Sequence, residues 1–283
     1  MDSTVDSYTK GLKKQIDRFG VWRPGQKIEL GDIGYFDGKV FNKKGNIKDE
    51  DANINFDVES GSRSASVKIS TTGAVSTEFK AGANVPGIST SSEIKLSFSK
   101  ANAFHIEAIG STISSIKNQI KLGKDINALI KTGKWDKKMA VITEIESVER
   151  AYIIISSSNK SEIEFGVNSD LQLTSINLAK ANIGLKVNKF RDMEYNQEFE
   201  EPLTLTFNAS TIKDIIKVSG FSLRERGIID NCGSEIVSEI ELPNKGYSFH
   251  TFSPMPQDTY DEEFELVQLS LEDFEDNGLD NTM

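Results

Sequence analysis

Strict alternation of apolar and polar side chains through the middle of the chain limits its fold more than any other feature. Ala65, Val67 and Ile69 alternate with Ser64, Ser66, Lys68 and Ser70. After the Thr71-Thr72-Gly73 break, Val75, Thr77, Phe79 and Ala81 alternate with Ser76, Glu78 and Lys80. Past a turn-rich stretch over residues 84–92, Ile94, Leu96 and Phe98 alternate with Glu93, Lys95, Ser97 and Ser99, and Phe104, Ile106 and Ala108 with His105 and Glu107. A period of two sends successive side chains to opposite faces, one apolar and one wet, which is the pattern of antiparallel strands. Further strands are expected at residues 139–147, at 150–156 with the block Ile153-Ile154-Ile155, at 162–167 and at 203–207. Leu171, Leu173, Ile183, Leu185 and Val187 suggest others. A tight hairpin joins residues 33–36 to 39–41 around Asp37-Gly38, a pair that favours a type I′ turn. Residues 42–51 read as a polar loop.

Two intervals change to a helical period. Val5, Tyr8, Leu12, Ile16 and Phe19 recur at three- and four-residue steps, which predicts a short amphipathic helix over residues 5–19, ended by Gly20 and Pro24. Lys10, Lys13, Lys14 and Arg18 fall on its other side. That face suits either a surface helix packed on the sheet or a basic helix lying on anionic headgroups. Ile109, Ile113, Ile116 and Ile120, then Ile126, Leu129 and Ile130, predict a helical interval near 111–131, interrupted at Gly123. Lys117, Lys121, Lys124, Lys131, Lys134, Lys137 and Lys138 surround it and read as a solvated face. A third, short helix is expected near residues 210–218. The fold class is therefore α+β, with a twisted, mostly antiparallel sheet.

The charge of −10 is localised. Ten of the 43 acidic residues lie from Asp258 onward, where there is no lysine or arginine, so the first 257 residues carry 33 acids against 33 bases. This divides the chain into a single body, 1–257, and an acidic C-terminal tail, 258–283. An electroneutral body argues against general nucleic-acid binding, which needs net neutralisation of phosphates. No apolar run approaches the roughly 20 residues of a spanning helix, and the N-terminus lacks a signal-peptide core. The expectation is a soluble, cytoplasmic product. Cys232 is the only cysteine, which excludes an internal disulfide and fits a buried small hydrophobe.

Catalytic constellations are missing from the sequence. His105 and His250 are the two histidines, and neither has a metal-ligand spacing. His105 sits on the polar side of its strand and reads as exposed. There is no phosphate-binding loop, no GxSxG elbow and no useful Cys/His pairing. Glu144 and Glu146 share one face of a strand and read as solvated. The expectation is a protein that is no enzyme, with no catalytic residues, no cofactor and no metal.

The order of elements resembles the N-terminal domain of gasdermins over roughly residues 5–190. A basic amphipathic helix opens the chain, and the alternating segments SASVKISTTGAVSTEFKAGANV and SSEIKLSFSKANAFHIEA follow. The basic stretch ending INALIKTGKWDKK leads into MAVITEIESVERAYIIISSSNKSEIEFGV, where Val141-Ile142-Thr143-Glu144 is similar to the family's Val-x-Thr-Glu strand. The resemblance implies a pore-forming effector of cell death or defence, inactive and soluble at first, that homo-oligomerises on membrane lipids and inserts two β-hairpins after an activating protease acts. Residues 63–82 with 91–108, and 150–167 with 171–190, are the candidate hairpins. In that reading Lys10, Lys13, Lys14 and Arg18 engage the membrane. The chain departs from the family in two respects. Bacterial members often carry a lipid-modified cysteine near the N-terminus, and animal members a large helical inhibitory domain, neither of which is evident here.

The tail includes more apolar residues than a solvating segment needs. Phe264, Leu266, Leu269 and Phe274 are its candidate inhibitory contacts, with a cleavable linker near residues 253–258. The alternation itself also serves any half-exposed soluble sheet. The alternative is a soluble binding or scaffold protein that engages partners by its sheet or its acidic tail.

Overall fold

Which strand lies beside which is decided by four chain segments that each bend once and contribute to two sheets. The computed structural model describes residues 4–80, 92–167, 186–215 and 263–274. The N-terminal part holds α1 (Thr4–Ile16), β1 (Phe19–Gly20), β2 (Asp32–Asp37), β3 (Val40–Asn46), the single-turn α2 (Ile47–Glu50) and β4 (Val58–Ser60). Then come β5 (Ser64–Ser70), β6 (Val75–Lys80), β7 (Ser92–Phe98), β8 (Phe104–Ile116) and α3 (Gln119–Lys131). The remainder comprises β9 (Ala140–Val148), β10 (Arg150–Ser156), β11 (Glu162–Val167), β12 (Lys186–Arg191), β13 (Met193–Phe199), β14 (Leu203–Ile215) and β15 (Glu263–Gln268).

The fold is α+β with mostly antiparallel sheet. The large sheet follows the path β1-β14-β9-β8-β10-β13, with β5 and β4 on β8, the hairpin β2-β3 on β9 and β15 on β14; the small sheet is ordered β12-β11-β7-β6. The order β5-β8-β10-β13 within the large sheet is therefore repeated as β6-β7-β11-β12 in the small one. Backbone bonds continue across the crease: Ser99 N–H donates to Ala74 O, Asn102 N–H to Ser156 O and Ser157 N–H to Asp192 O, each at 2.9 Å. Gly73, Asn102 and Asp192, at φ 66°, 59° and 56°, sit at three of the four bends.

Two buried clusters meet at β10. Tyr8 and Leu12 of α1 pack with Ile69, Phe104, Ile106, Ile153 and Ile155 on one face of the large sheet. Tyr152 and Ile154 point the other way, to Ile94, Leu96, Phe98, Ile163 and Phe165 inside the crease. The run Ile153-Ile154-Ile155 is continuous in sequence because both faces of β10 are covered. The compact units are residues 1–212 with 266–283, and residues 213–265, of which only 213–215 and 263–265 are described.

Several expectations shift. The helical interval near 111–131 is α3, but residues 111–116 extend β8, where β4 and β9 pair on its two sides. Ladder bonds on both edges outweigh the helical spacing of Ile109, Ile113 and Ile116. The Asn118 side chain then accepts from Lys121 N–H at 2.9 Å and starts the helix. Residues 210–215, expected as a helix, extend β14, with Ser210 and Thr211 opposite Val141 and Ala140. The polar stretch 42–51 completes β3 and forms α2. α1 ends at Ile16 on Asp17, whose φ is 55°, before reaching Phe19. In the β2-β3 hairpin the turn centres on Gly38 and Lys39, with positive φ at Gly38 alone, as in a type II′ turn. Leu171, Leu173, Ile183 and Leu185 lie outside the described residues.

Candidate functional site

The C-terminal segment is docked on the body by backbone pairing and by side chains. β15 lies on β14, and beyond it Leu269 N–H donates to Ala209 O at 2.9 Å. Leu269 is buried with Phe19, Val21, Ile28, Phe41, Ile142 and Phe207. Ser270 N–H and Oγ then donate to the Asp273 carboxylate at 2.7 and 3.0 Å, which closes a turn into a 3-10 segment, Glu272–Phe274. That turn sets the Phe274 ring edge-on against Phe36 and Phe19, at centroid distances of 5.1 and 5.7 Å. Leu266 packs on α3 where Gly123 leaves room: a Cβ at Gly123 would stand 3.3 Å from Leu266 Cβ. The glycine that looks like a helix interruption is thus a close-approach point. Phe264 lies in β15, and its side chain is outside the described residues.

The N-terminal helix is fastened to the same short piece of β14. Phe207 and Ala209 point to the aromatic cluster, and Asn208 between them points the other way by strand alternation. Asn208 Oδ1 accepts from Lys13 Nζ at 3.2 Å, and Lys13 also donates to Asp17 O at 3.0 Å and bridges its carboxylate at 2.9 Å. The ammonium lies 4.7 Å over the Phe19 ring. Phe19 therefore touches Lys13 of α1 and Phe274 of the tail. Lys13 is 4% exposed and Arg18 is half-buried, its Nε 2.9 Å from Glu144 Oε1; Lys10 is half-buried and Lys14 exposed. The four bases do not share one exposed face in this state. Burial pushes the Tyr8 phenol well up, and its hydroxyl has no hydrogen-bond partner among the described residues.

Three residues read as solvated are interior or engaged. His105 is fully buried, with Ser70 Oγ 2.6 Å from Nδ1 and Glu107 Oε1 3.1 Å from Nε2. Its strand face is polar, but the crease folds over it, and Ile154 is its cross-strand neighbour. Glu146 is 6% exposed and accepts from Ser111 Oγ at 2.6 Å and Thr206 Oγ1 at 2.8 Å. Glu144 is half-buried, held by Arg18 and by Asn208 Nδ2 at 3.2 Å. Strand alternation alone cannot signal these positions. The hydroxyl and amide partners come from β5, β8 and β14 and are known only once the register is.

Among the described residues no cluster of His, Cys, Asp and Glu is arranged to hold a metal ion. A shallow cleft of about 460 Å3 at the crease is lined by Gly73, Ser76, Ser99, Lys160 and Arg191, whose Nη2 donates to Lys160 O at 2.7 Å. No described helix is long and apolar enough to cross a membrane, which leaves crossing by strands open. Compared with known proteins, the chain matches no family model, no curated protein and no solved structure.

Proposed function

We propose that the chain is a membrane pore-former, an effector of cell death or defence, held inactive by its C-terminal segment and released by proteolysis. The observation that carries this reading is the pair of long bent hairpins, β5-β6 with β7-β8 and β10-β11 with β12-β13, laid side by side across both sheets. Each arm exceeds the about 9–11 residues of a spanning strand. The small sheet already has the two faces that a barrel wall needs. Phe79, Ile94, Phe165 and Val187 stand in one cross-strand row, and Thr77, Leu96, Ile163 and Phe190 in the next. On the opposite face Glu78, Lys95, Glu164 and Lys189 form a row of alternating charge. Straightening the crease would extend an apolar face toward lipid and a charged face toward a lumen. Spanning strands must leave no open edge, so β6 and β12 would pair with neighbouring copies in a closed ring.

The docked tail supports the inactive half of the reading. It covers Phe19, Phe36 and Phe207 and pairs with β14, so losing it uncovers apolar surface and a strand edge. Deleting residues 258–283 is expected to cause leakage of vesicle contents, with the full chain inert. A truncated protein that stays monomeric and leaves vesicles sealed would refute the proposal. The exposed Phe79 and Phe190, on the outer strands of the small sheet, favour a second reading in that case: a soluble protein that takes a partner strand at β6 or β12.

A further inference from the structure

α3 turns to solvent a stripe that no other described element packs on. Leu122, Gly123, Ile126 and Leu129 are buried, and the exposed positions Ile120, Lys124, Ala128 and Lys131 follow at three- and four-residue steps. Exposed Lys117 precedes the stripe, and exposed Lys134 and Lys138 continue it past Thr132. Asp125 is the one carboxylate on the helix, and it is bridged by Lys121 at 2.8 Å. Lys117, Lys124, Lys131 and Lys134 make no ion pair among the described residues. Ile120 is 78% exposed, more than Phe190 at 66% or Val58 at 51%. A single exposed isoleucine is ordinary, but one seated in a row of unneutralised lysines has the layout of an interfacial helix.

We propose that this face of α3 is the surface by which the chain docks on an anionic lipid bilayer. Ile120 enters the headgroup region, and the lysine stems lie along the interface with their ammonium groups on lipid phosphates and carboxylates. The inference rests on the pore-forming reading and moves the first membrane contact from α1, where Lys13 and Arg18 are engaged, to α3. These side chains are exposed while the tail is docked, so docking precedes release. Each lysine near an anionic surface is worth roughly fivefold in partitioning.

The test is co-sedimentation of the full chain with vesicles of phosphatidylserine mixed into phosphatidylcholine, against phosphatidylcholine alone. The expected result is salt-sensitive binding to the mixed vesicles without leakage. Lys124→Glu, Lys131→Glu and Lys134→Glu together should weaken it on the order of a hundredfold or more, with the fold intact by circular dichroism. Ile120→Ser should weaken it at every salt concentration, and Lys14→Glu on α1 should not. A full chain that ignores the mixed vesicles, or a triple variant that binds like the parent, overturns the proposal. Binding to heparin but not to vesicles through the same lysines overturns it in favour of a soluble polyanion. Leakage by the tail-truncated chain is a separate readout. Binding with no leakage after truncation sinks the pore and leaves docking standing, whereas leakage with an undiminished triple variant does the reverse.

Discussion

Replacing Phe274 with alanine separates the hold of the tail from the stability of the body. The ring is half-buried and meets Phe36 and Phe19 edge-on at 5.1 and 5.7 Å. A fully buried phenylalanine truncated to alanine costs about 3–5 kcal/mol, and half-burial brings this to about 2 kcal/mol. That loss falls on tail docking, because Phe19, Phe36, Phe41 and Phe207 remain packed on one another. The Leu269 amide, bonded to Ala209 O, reports docking directly by hydrogen exchange. Its exchange should accelerate about 30-fold, since 1.4 kcal/mol is about a factor of ten. Amides in the β8-β10 ladder should be unchanged. Parental exchange at Leu269, or equal acceleration in β8 and β10, would refute a separable tail held by this ring.

Three other substitutions have defined signs. Tyr8→Phe removes a buried hydroxyl that has no partner among the described residues and should raise stability by about 1 kcal/mol in a urea titration. Glu146→Ala strips Ser111 and Thr206 of their acceptor inside the sheet and should cost about 1–3 kcal/mol in the same titration. Gly123→Leu gives α3 a better helix former by about 1 kcal/mol while displacing Leu266, so tail exchange should speed up with no drop in melting temperature.

Part of the site is legible in the sequence. The acidic tail announced itself through Leu266, Leu269 and Phe274, because apolar residues there exceed what solvation needs, and these three are packed in the structure. The N-terminal bases were located by periodicity, but periodicity does not say which side of an amphipathic helix ends near a second layer. Lys13 is drawn inside because Asn208, Asp17 and the Phe19 ring converge on its ammonium. The lysines around α3 looked like a solvated face. Their interest comes from the buried opposite side and from Ile120, left outside by the turn of the helix.

The local sequence determined the strands that alternate between Ser64 and Ala108, since side chains two residues apart share a face whatever the partner strand. It also determined the helical character of residues 119–131 and the charge of the tail. Pairing was decided by the tertiary structure, because hydrogen-bond ladders are indifferent to side-chain identity along most of their length. That is why β8 continues to Ile116 through a helical-looking stretch, and why β14 runs on through Thr211. Burial of polar residues was likewise a tertiary matter. A histidine or glutamate on a strand's polar face stays wet unless something folds over it, and the crease covers His105 while β8 and β14 enclose Glu146 with hydroxyl donors. A buried charge is tolerable only where such donors meet it, and those donors lie 35 and 60 residues away along the chain.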